Sequence, residues 1–466
     1  MNANKPNPPA GSAFASRFTQ RVANHPRVAY YLHPTCAAPV LFVLDELLVA
    51  HDALATVMGA LGAAVVTDTQ HTVFGESPVQ PPNDVHILRL KSTPGNQAFA
   101  DVAMAVWKAR AAVSLAGGNP AHVSPNHVLV PAPNYHSCPH GPPSPPVKEP
   151  LEIGHSISDV RVVVIDSGYE PGGVMDERAT YQYGRWFTAK SDAPKGYAWV
   201  EQSPAPNGVN PLDQDGDDRL DALVGHANFV AGVVAQACPG VQIEVVSHNG
   251  AFVDHDDADT PIATEASVAL SLWEVLHEGS RQPNVINIGF AFPTLPAEQP
   301  GPSVIDGPPS YTFSVALDAI TDRPATVVVA PAGNQSCTVP QYPAAFHDTY
   351  PNVFGVGSLD DDGVRSSFSN HGPWVACCTR GESVVSTFVT AQNALPEEAT
   401  GTSRIDFDGW ASWSGTSFAA PKVAGALACI VASDHVNALN AWQQLIDSKS
   451  SPTPLEMGVA LPDLAP

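Results

Sequence analysis

Apolar positions in the first 130 residues alternate between two periods. Short apolar runs with the character of strands occupy residues 40–43, 64–67, 85–90 and 127–130. Between them, apolar side chains recur at the i, i+3, i+4, i+7 spacing of one helix face, first at Leu54, Val57, Met58 and Leu61 and then at Phe99, Val102, Ala103 and Val106. The predicted order is β-α-β-β-α-β, which is the arrangement of a small ferredoxin-like α+β domain.

A proline-rich stretch interrupts this periodicity and marks the clearest domain boundary. Residues 131–150 contain eight prolines and no periodic apolar pattern, which predicts an extended linker rather than a folded element. Residues 1–27 are polar and proline-rich, and we predict that they form a flexible tail. The chain therefore divides into a tail, an α+β domain over 28–130, a linker and a larger domain over 151–466.

Apolar runs and helical patterns alternate throughout the larger domain. The apolar runs predict strands at residues 159–165, 242–246, 284–288, 326–330 and 353–356, and the helical patterns begin near His226, Thr264, Tyr311 and Ser417. This alternation is typical of a doubly wound α/β domain, in which a parallel sheet has helices on both faces. Functional residues of such sheets gather at the carboxyl ends of the strands.

Composition narrows the range of partners and compartments. With 22 basic and 46 acidic residues, the formal net charge is -24, so we expect neither a nucleic acid nor a membrane partner, because both select basic patches. Seven cysteines without a C-x-x-C pair predict a reducing compartment and no disulfide framework. The N-terminal residues lack the pattern of a secretory signal, and the first apolar run, 40–50, is too short to span a bilayer. The expected location is the cytoplasm.

Four polar residues stand at positions where a site would form. Asp166 ends an apolar strand, His226 opens a helix, Asn334 follows a strand closely and Ser417 opens a helix of small apolar residues. Each has an ordinary structural interpretation by itself, since Asp and Asn form turns and His and Ser cap helices. Along the chain, however, three of them occur in the order Asp, His, Ser, which is one of the orders in which the catalytic triad of acyl-transfer enzymes is found.

The segments around these residues resemble the motifs of the subtilisin-like serine proteases. VVVIDSG is similar to the aspartate motif, GHANFVAGVVAQACP to the histidine motif, VVVAPAGN to the oxyanion-asparagine motif and SGTSFAAPKVAG to the serine motif. The resemblance extends over residues 158–450 or so and implies a subtilisin-like fold and serine endopeptidase activity. It also implies roles for Ser417 as nucleophile, His226 as general base, Asp166 as its orienting carboxylate and Asn334 as oxyanion donor.

The same resemblance implies a substrate-binding segment and reveals departures from the usual motifs. The predicted substrate-binding residues are Gly289, Phe290 and Ala291, where the family usually has Ser-Leu-Gly, together with Ala332 and Gly333. Ala291 carries a Cβ where glycine is expected, which would narrow the specificity pocket. Ala227-Asn228-Phe229 replaces the usual Gly-Thr-His after the histidine, and Phe418 and Lys422 replace the more usual Met and His near the serine.

The resemblance also suggests a role for the α+β domain. Many subtilisin-like proteases carry a ferredoxin-like propeptide, so we expect an autoinhibited precursor in which the N-terminal domain acts as an intramolecular inhibitor. The alternative is an unrelated accessory domain, since this fold hosts many functions. For the whole chain, the alternatives to a hydrolase of protein or peptide substrates are a protease-like binding protein without turnover and a peptide ligase that uses the same acyl-enzyme.

One acidic cluster precedes His226. Asp213, Asp215, Asp217 and Asp221 alternate around a glycine in a manner that resembles calcium loops, although the spacing differs from that of an EF-hand. A structural calcium ion and a solvated acidic loop are both compatible with this pattern. No other cofactor is expected.

Overall fold

The computed structural model describes most of both predicted domains. The described residues are 25–33, 36, 39–65, 71–75, 77–91, 98–129, 140–146, 159–168, 187–189, 198–200, 212–213, 217–221, 223–248, 263–277, 282–298, 306–397, 399, 401–449, 456–461 and 464.

The N-terminal domain is an antiparallel sheet with two helices. Its elements are β1 (Val28–Leu32), β2 (Pro39–Ala50), α1 (Leu54–Leu61), β3 (Val85–Arg89), α2 (Ala98–Leu115) and β4 (Val123–His127). Strand β2 pairs antiparallel with β1, β3 and β4. The predicted β-α-β-β-α-β order is confirmed, except that the second strand is reduced to an antiparallel bridge between Val65 and Leu90 and that β1 is an additional strand.

The core of this domain lies between the sheet and its two helices. Val57 of α1 and Val102 and Val106 of α2 are fully or almost fully buried against Leu47 and Val49 of β2. Each such side chain contributes about 1.5–3 kcal/mol when it is removed from water. The helix spacing read from the sequence therefore corresponds to the buried faces of α1 and α2.

A seven-stranded parallel sheet forms the centre of the larger domain. Its strands are β6 (Arg161–Asp166), β9 (Gln242–Ser247), β10 (Val285–Ile288), β11 (Val327–Pro331), β12 (Val353–Leu359), β13 (Cys377–Arg380) and β16 (Val459–Ala460). The order across the sheet is β16-β13-β12-β11-β10-β6-β9, and every described pair is parallel. Strands buried on both faces are continuously apolar, which is why the five strands predicted from apolar runs are all present.

In the described part of the larger domain, five helices accompany the sheet. They are α3 (His226–Ala237), α4 (Glu265–His277), α5 (Tyr311–Asp318), α6 (Thr416–Asp434) and α7 (Ala438–Lys449). Helices α3 and α6 approach closely at Gly425, where an added Cβ would lie 2.5 Å from that of Ala237. Of the helices in the described part of the chain, α6 alone is long and apolar enough to cross a membrane, and 72% of its apolar window is buried inside the protein, as in the core helix of a globular domain.

The proline-rich segment differs from the predicted linker. Residues 140–144 form β5 (His140–Ser144), which pairs antiparallel with β15 (Ile405–Ser414), the second strand of a hairpin with β14 (Val384–Ala394). A proline-rich chain is already extended, and on the edge of a sheet its missing N–H groups cost little. An extended linker and an edge strand are therefore hard to distinguish from sequence. Strands β7 (Phe187–Ala189) and β8 (Ala198–Val200) form a separate parallel pair.

A disulfide joins the two domains, although the cysteine pattern predicted no disulfide framework. Cys36 and Cys337 are bonded across a sequence separation of 301 residues, with their Cα atoms 5.6 Å apart. No spacing rule connects two cysteines that distant in sequence, because only the docking of the domains brings them together. Cys238, Cys377, Cys378 and Cys429 are free.

Buried polar contacts hold the N-terminal domain against the larger one. The Arg110 guanidinium donates to the carbonyl oxygens of Leu295 (3.2 Å) and Pro296 (2.8 Å), and burial lowers the pKa of Arg110 to about 10 despite the nearby Glu265 carboxylate. His127 Nδ1 lies 2.5 Å from a carboxylate oxygen of Glu265, with both side chains at most 1% exposed. Buried polar groups are costly unless they are partnered. This network therefore favours one arrangement of the two domains.

Candidate active site

Asp166 and His226 form a buried pair at the carboxyl edge of the sheet. Asp166 is the last residue of β6 and His226 the first of α3. Asp166 Oδ1 lies 2.7 Å from His226 Nδ1, and neither side chain is exposed. An ionised carboxylate can only accept, so Nδ1 carries the proton and Nε2 is left as the acceptor. That tautomer is the one a general base requires.

Ser417 lies beside this pair, in the first turn of α6. The His226 ring is 5.4 Å from that of Phe418, the next residue after Ser417. His226 Nε2 and Ser417 Oγ are both buried, and neither has a hydrogen-bond partner among the described residues. Pro421 falls within the same helix, close enough to its start that the missing N–H costs little. The helix N-terminus therefore carries a buried hydroxyl without a partner among the described residues, and the His226 ring, whose Nε2 also lacks one, contacts the adjacent Phe418.

Asn334 is oriented by the residue that precedes Ser417. Its Oδ1 accepts hydrogen bonds from both the N–H and the hydroxyl of Thr416, each at 2.9 Å. The Thr416 hydroxyl also accepts the N–H of Gly333 at 3.1 Å. Because Oδ1 is fixed on Thr416, the direction of the Nδ2 group is fixed as well. Thr416 stands inside the Gly-Thr-Ser motif, yet only its contacts reveal this orienting role.

The predicted substrate-binding segment follows β10 and touches Asp166. A Cβ on Gly289 would lie 1.9 Å from Asp166 Oδ2, so the carboxylate occupies the space that a side chain would need. Phe290 and Ala291 are fully buried, and Phe290 packs edge-on against His248, with ring centroids 5.7 Å apart. Burial lowers the pKa of His248 to about 4, against the opposing charge of Asp166. This histidine therefore remains neutral beside the carboxylate at neutral pH.

The other two predicted substrate-binding residues belong to the turn that carries Asn334. Ala332 is fully buried, and Gly333 has φ +95°, a conformation that L side chains rarely adopt. Residues 289–291 follow β10 and residues 332–333 follow β11, its neighbour in the sheet. The structure thus brings the two parts of the predicted set to the same sheet edge.

Two departures from the usual motifs contact each other beside His226. The rings of Phe229 and Phe418 lie 4.3 Å apart, and both also contact Trp413. Aromatic pairs of this kind contribute about 0.5–1.5 kcal/mol beyond their buried area. Two residues that each look unusual in the sequence therefore form one apolar cluster that supports the His226 ring.

Carboxylates of the acidic cluster accept hydrogen bonds from backbone N–H groups of the same segment. The Asp213 carboxylate accepts the N–H groups of Asp217 and Asp218, and Asp217 accepts that of Arg219. Asp221 is buried. Asp215 lies outside the described residues, and among those described no three His, Cys, Asp or Glu side chains are placed to hold a metal ion. Calcium binding here stays a prediction.

Comparison with known proteins places this geometry in a family. The model of the Subtilase family matches residues 158–448, which include Asp166, His226, Asn334 and Ser417. The chain belongs to the subtilase family.

Its relatives are distant. This subtilase is 28% identical over 229 residues to Subtilisin BL of Lederbergia lenta, a match that covers 47% of the chain and 65% of the relative. It is 37% identical over 115 residues to Thermitase of Thermoactinomyces vulgaris, a match that covers 25% of the chain and 33% of the relative. The chain thus spans less than two thirds of the length of the curated relatives that it matches.

A solved structure supports the same fold. Fervidolysin from Fervidobacterium pennivorans, described as a keratinolytic enzyme related to subtilisin, superposes with a TM-score of 0.51 at 17% identity, over 87% of this subtilase and 57% of that chain. Identity that low supports the fold alone.

Proposed function

We propose that this subtilase is a serine endopeptidase. The observation that carries the proposal is the buried 2.7 Å contact between Asp166 and His226, which leaves His226 Nε2 free to accept a proton. This pair also argues against a binding protein without turnover, since a binding site has no need of an oriented imidazole.

The proposed reaction assigns one step to each residue. Ser417 Oγ attacks the carbonyl carbon of a peptide bond while His226 Nε2 takes its proton, and the same proton then passes to the leaving amine. Asp166 holds the imidazole and stabilises its charged form. Water repeats the sequence on the acyl-enzyme and releases the acid. The oxyanion is stabilised by the Asn334 side chain and by the N–H of Ser417 at the start of α6.

We further propose that the N-terminal domain holds the enzyme as an autoinhibited precursor. At the end of β4, Val128 forms a bridge to Thr264, and the Leu129 N–H donates to the Ala263 carbonyl at 2.9 Å. Strand β5 then pairs with β15 up to Ser414, three residues before Ser417. The ten connecting residues, 130–139, lie outside the described residues. Two contacts with the larger domain support this proposal. One is made to the residues just before α4, and the other is made to β15, which ends just before the candidate nucleophile in the sequence.

The disulfide changes the proposed compartment. The expectation of a cytoplasmic location rested on the cysteine pattern and on the lack of a secretory-signal pattern or a bilayer-spanning apolar run, and the Cys36–Cys337 bond removes the first of these premises. Structural disulfides persist where the environment is oxidising. We therefore propose that the folded protein works outside the reducing cytoplasm.

Hydrolysis of an unfolded protein substrate tests the activity. The wild-type chain, Ser417→Ala and a control, Ser433→Ala, are compared after limited proteolysis to open the precursor. Ser433 is a fitting control because it is on the same helix but exposed. New amino termini are expected with wild type and the control only. Equal hydrolysis by Ser417→Ala would refute the assignment, and products that incorporate an added amine would indicate a ligase instead.

A further inference from the structure

A buried asparagine outside the four motifs named above holds the turn that carries Asn334. Asn370 is fully buried. Its Oδ1 accepts the N–H groups of Gln335 (2.9 Å) and Cys337 (3.1 Å), and its Nδ2 donates to the Ala332 carbonyl (3.0 Å) and to Gln335 Oε1 (2.5 Å). Two N–H donors meet one end of the amide and two oxygens meet the other, so the orientation of the amide is determined by its partners.

The backbone of Asn370 adds a contact to the same turn. Its N–H donates to the Gly333 carbonyl at 2.9 Å. A Cβ on Gly333, whose φ is +95°, would lie 2.5 Å from Asn370 Nδ2. The asparagine thus fills the inside of the turn and bonds to residues on both sides of Asn334.

Asn370 is itself well held. The Ser369 hydroxyl donates to the Asn370 carbonyl at 3.0 Å, and the Ser369 N–H donates to the Ser366 carbonyl at 2.9 Å. The Arg365 guanidinium donates to the Ser369 carbonyl at 2.6 Å. Because these contacts anchor the backbone at residues 369 and 370, we expect the Asn370 side chain to determine the positions of its hydrogen-bond partners.

We propose that Asn370 is a positioning residue for the oxyanion site. Thr416 fixes the Asn334 side chain, and Asn370 fixes the backbone that carries it. Asn370 therefore acts through Asn334 and touches no reacting atom. The inference rests on the proposed endopeptidase, because it gives Asn334 the role of oxyanion donor in that reaction.

A double-mutant cycle separates positioning from general stability. Asn370→Ala and Asn334→Ala are made singly and together in the full chain, and kcat and KM are measured per active site after titration with a fluorophosphonate. We expect Asn370→Ala to lower kcat about 10-fold or more with little change in KM, as part of the roughly 10²–10³-fold effect of one oxyanion donor. In the Asn334→Ala background, the same change should cost almost nothing, because the group it positions is gone.

Asn352→Ala is the matched control. Asn352 is also buried, and its Nδ2 donates to the Ile320 and Thr326 carbonyls, away from the Asn334 turn. It should destabilise the protein while leaving kcat per active site nearly unchanged. If Asn370→Ala fails to fold, Gln335→Ala removes one of the two oxygens that accept from Asn370 Nδ2 and leaves the Oδ1 contacts in place, and it should show a smaller loss of kcat with the same dependence on Asn334.

Two outcomes would overturn the proposal. An equal fold-loss of kcat in both backgrounds means that Asn370 has only a structural role, and an unchanged kcat means that the turn holds Asn334 without it. Failure of the proposed function looks different, since the wild-type chain would then neither be labelled at Ser417 nor turn over substrate.

Discussion

At the scale of single residues, the Asp166 side chain leaves no space for a side chain on Gly289. Asp166 Oδ2 is buried without a hydrogen-bond partner among the described residues, and it lies where a Cβ of residue 289 would be placed. The serine that the family usually has at this position cannot be accommodated without a shift of the carboxylate. In this chain, therefore, the position of the aspartate and the identity of residue 289 depend on each other.

Gly289→Ala should lower kcat strongly. The new Cβ, only 1.9 Å from Oδ2, forces Asp166 to move and weakens its contact with His226. Misplacement of a catalytic group by about 1 Å can cost about 10²-fold in rate, and we expect a loss of that order in steady-state kinetics. Gly59→Ala is a control, because Gly59, like Gly289, lacks a positive φ, and an added Cβ there has no atom within 4 Å. Similar kinetics for Gly289→Ala and wild type would show that the carboxylate can move freely.

Asn334→Ala should lower kcat with little change in KM. Loss of one oxyanion donor costs roughly 10²–10³-fold in subtilisin, the source of that figure, and we expect the same scale here. Initial rates over a range of substrate concentrations measure both constants. A loss confined to KM would place Asn334 in substrate binding instead.

At the scale of elements, helix α6 combines the candidate nucleophile with a buried charge. Lys422 is 5% exposed, and burial, reinforced by Arg380 and opposed by Asp361, lowers its pKa from 10.5 to about 8. Above about pH 8 the folded protein holds a neutral amine, whereas the unfolded chain still binds a proton up to about pH 10.5. The lysine contribution to stability therefore rises with pH across this window.

Lys422→Met should raise the free energy of unfolding at pH 7. The gain should not exceed about 3 kcal/mol, the equivalent of the shift in pKa, and it should shrink between pH 8 and pH 10.5. Denaturant unfolding at several pH values measures this difference. Lys108→Met is the control, since Lys108 is exposed. A difference between Lys422→Met and wild type that stays constant with pH would contradict the assignment.

Elements with strong local patterns were predictable, and those defined by tertiary contacts were not. Strands β6, β9, β10, β11 and β12 lie in the mostly apolar runs from which they were predicted. Strand β13, with the sequence CCTR, is short and partly polar, and it joins the sheet only because β12 and β16 flank it. Helix α3 was predicted from the helical pattern that begins near His226, and α6 from a run of small apolar residues. The pairing of β5 with β15 depends on where the N-terminal domain docks, which no local pattern encodes.

The candidate site shows the same division. Asp166, His226, Asn334 and Ser417 were identified because each lies in a motif at a strand or helix end. Asn370 was not, because its importance lies in four contacts to residues 33 to 38 positions away. The bond between Cys36 and Cys337 was missed for the same reason.

At the scale of the whole molecule, the N-terminal domain is attached to the larger domain in three ways. It is joined through the chain, through the Cys36–Cys337 bond and through buried contacts such as His127 with Glu265. Cys337, the second cysteine of the disulfide, lies three residues after Asn334 in the sequence. A cut in the connecting segment therefore removes only one of the three attachments.

Cleavage within residues 130–139 should leave the two domains covalently linked. On non-reducing gels under denaturing conditions the cut protein should run as one species, and it should separate into two after reduction. Cys36→Ser should separate without reductant. Cys429→Ser, which removes an exposed free thiol, should behave as wild type. Separation of the cut wild-type chain without reductant would show that the disulfide does not hold the domains.

Active-site labelling tests the central claim most directly. The full chain, before and after the connecting segment is cut, is treated with a fluorophosphonate, and the modified residue is identified by mass spectrometry in wild type, Ser417→Ala and Ser433→Ala. The proposed protease predicts a single label on Ser417, stronger after the cut, present in the Ser433→Ala control and absent from Ser417→Ala. No Ser417-dependent label in the cut protein would contradict the assignment of Ser417 as the nucleophile.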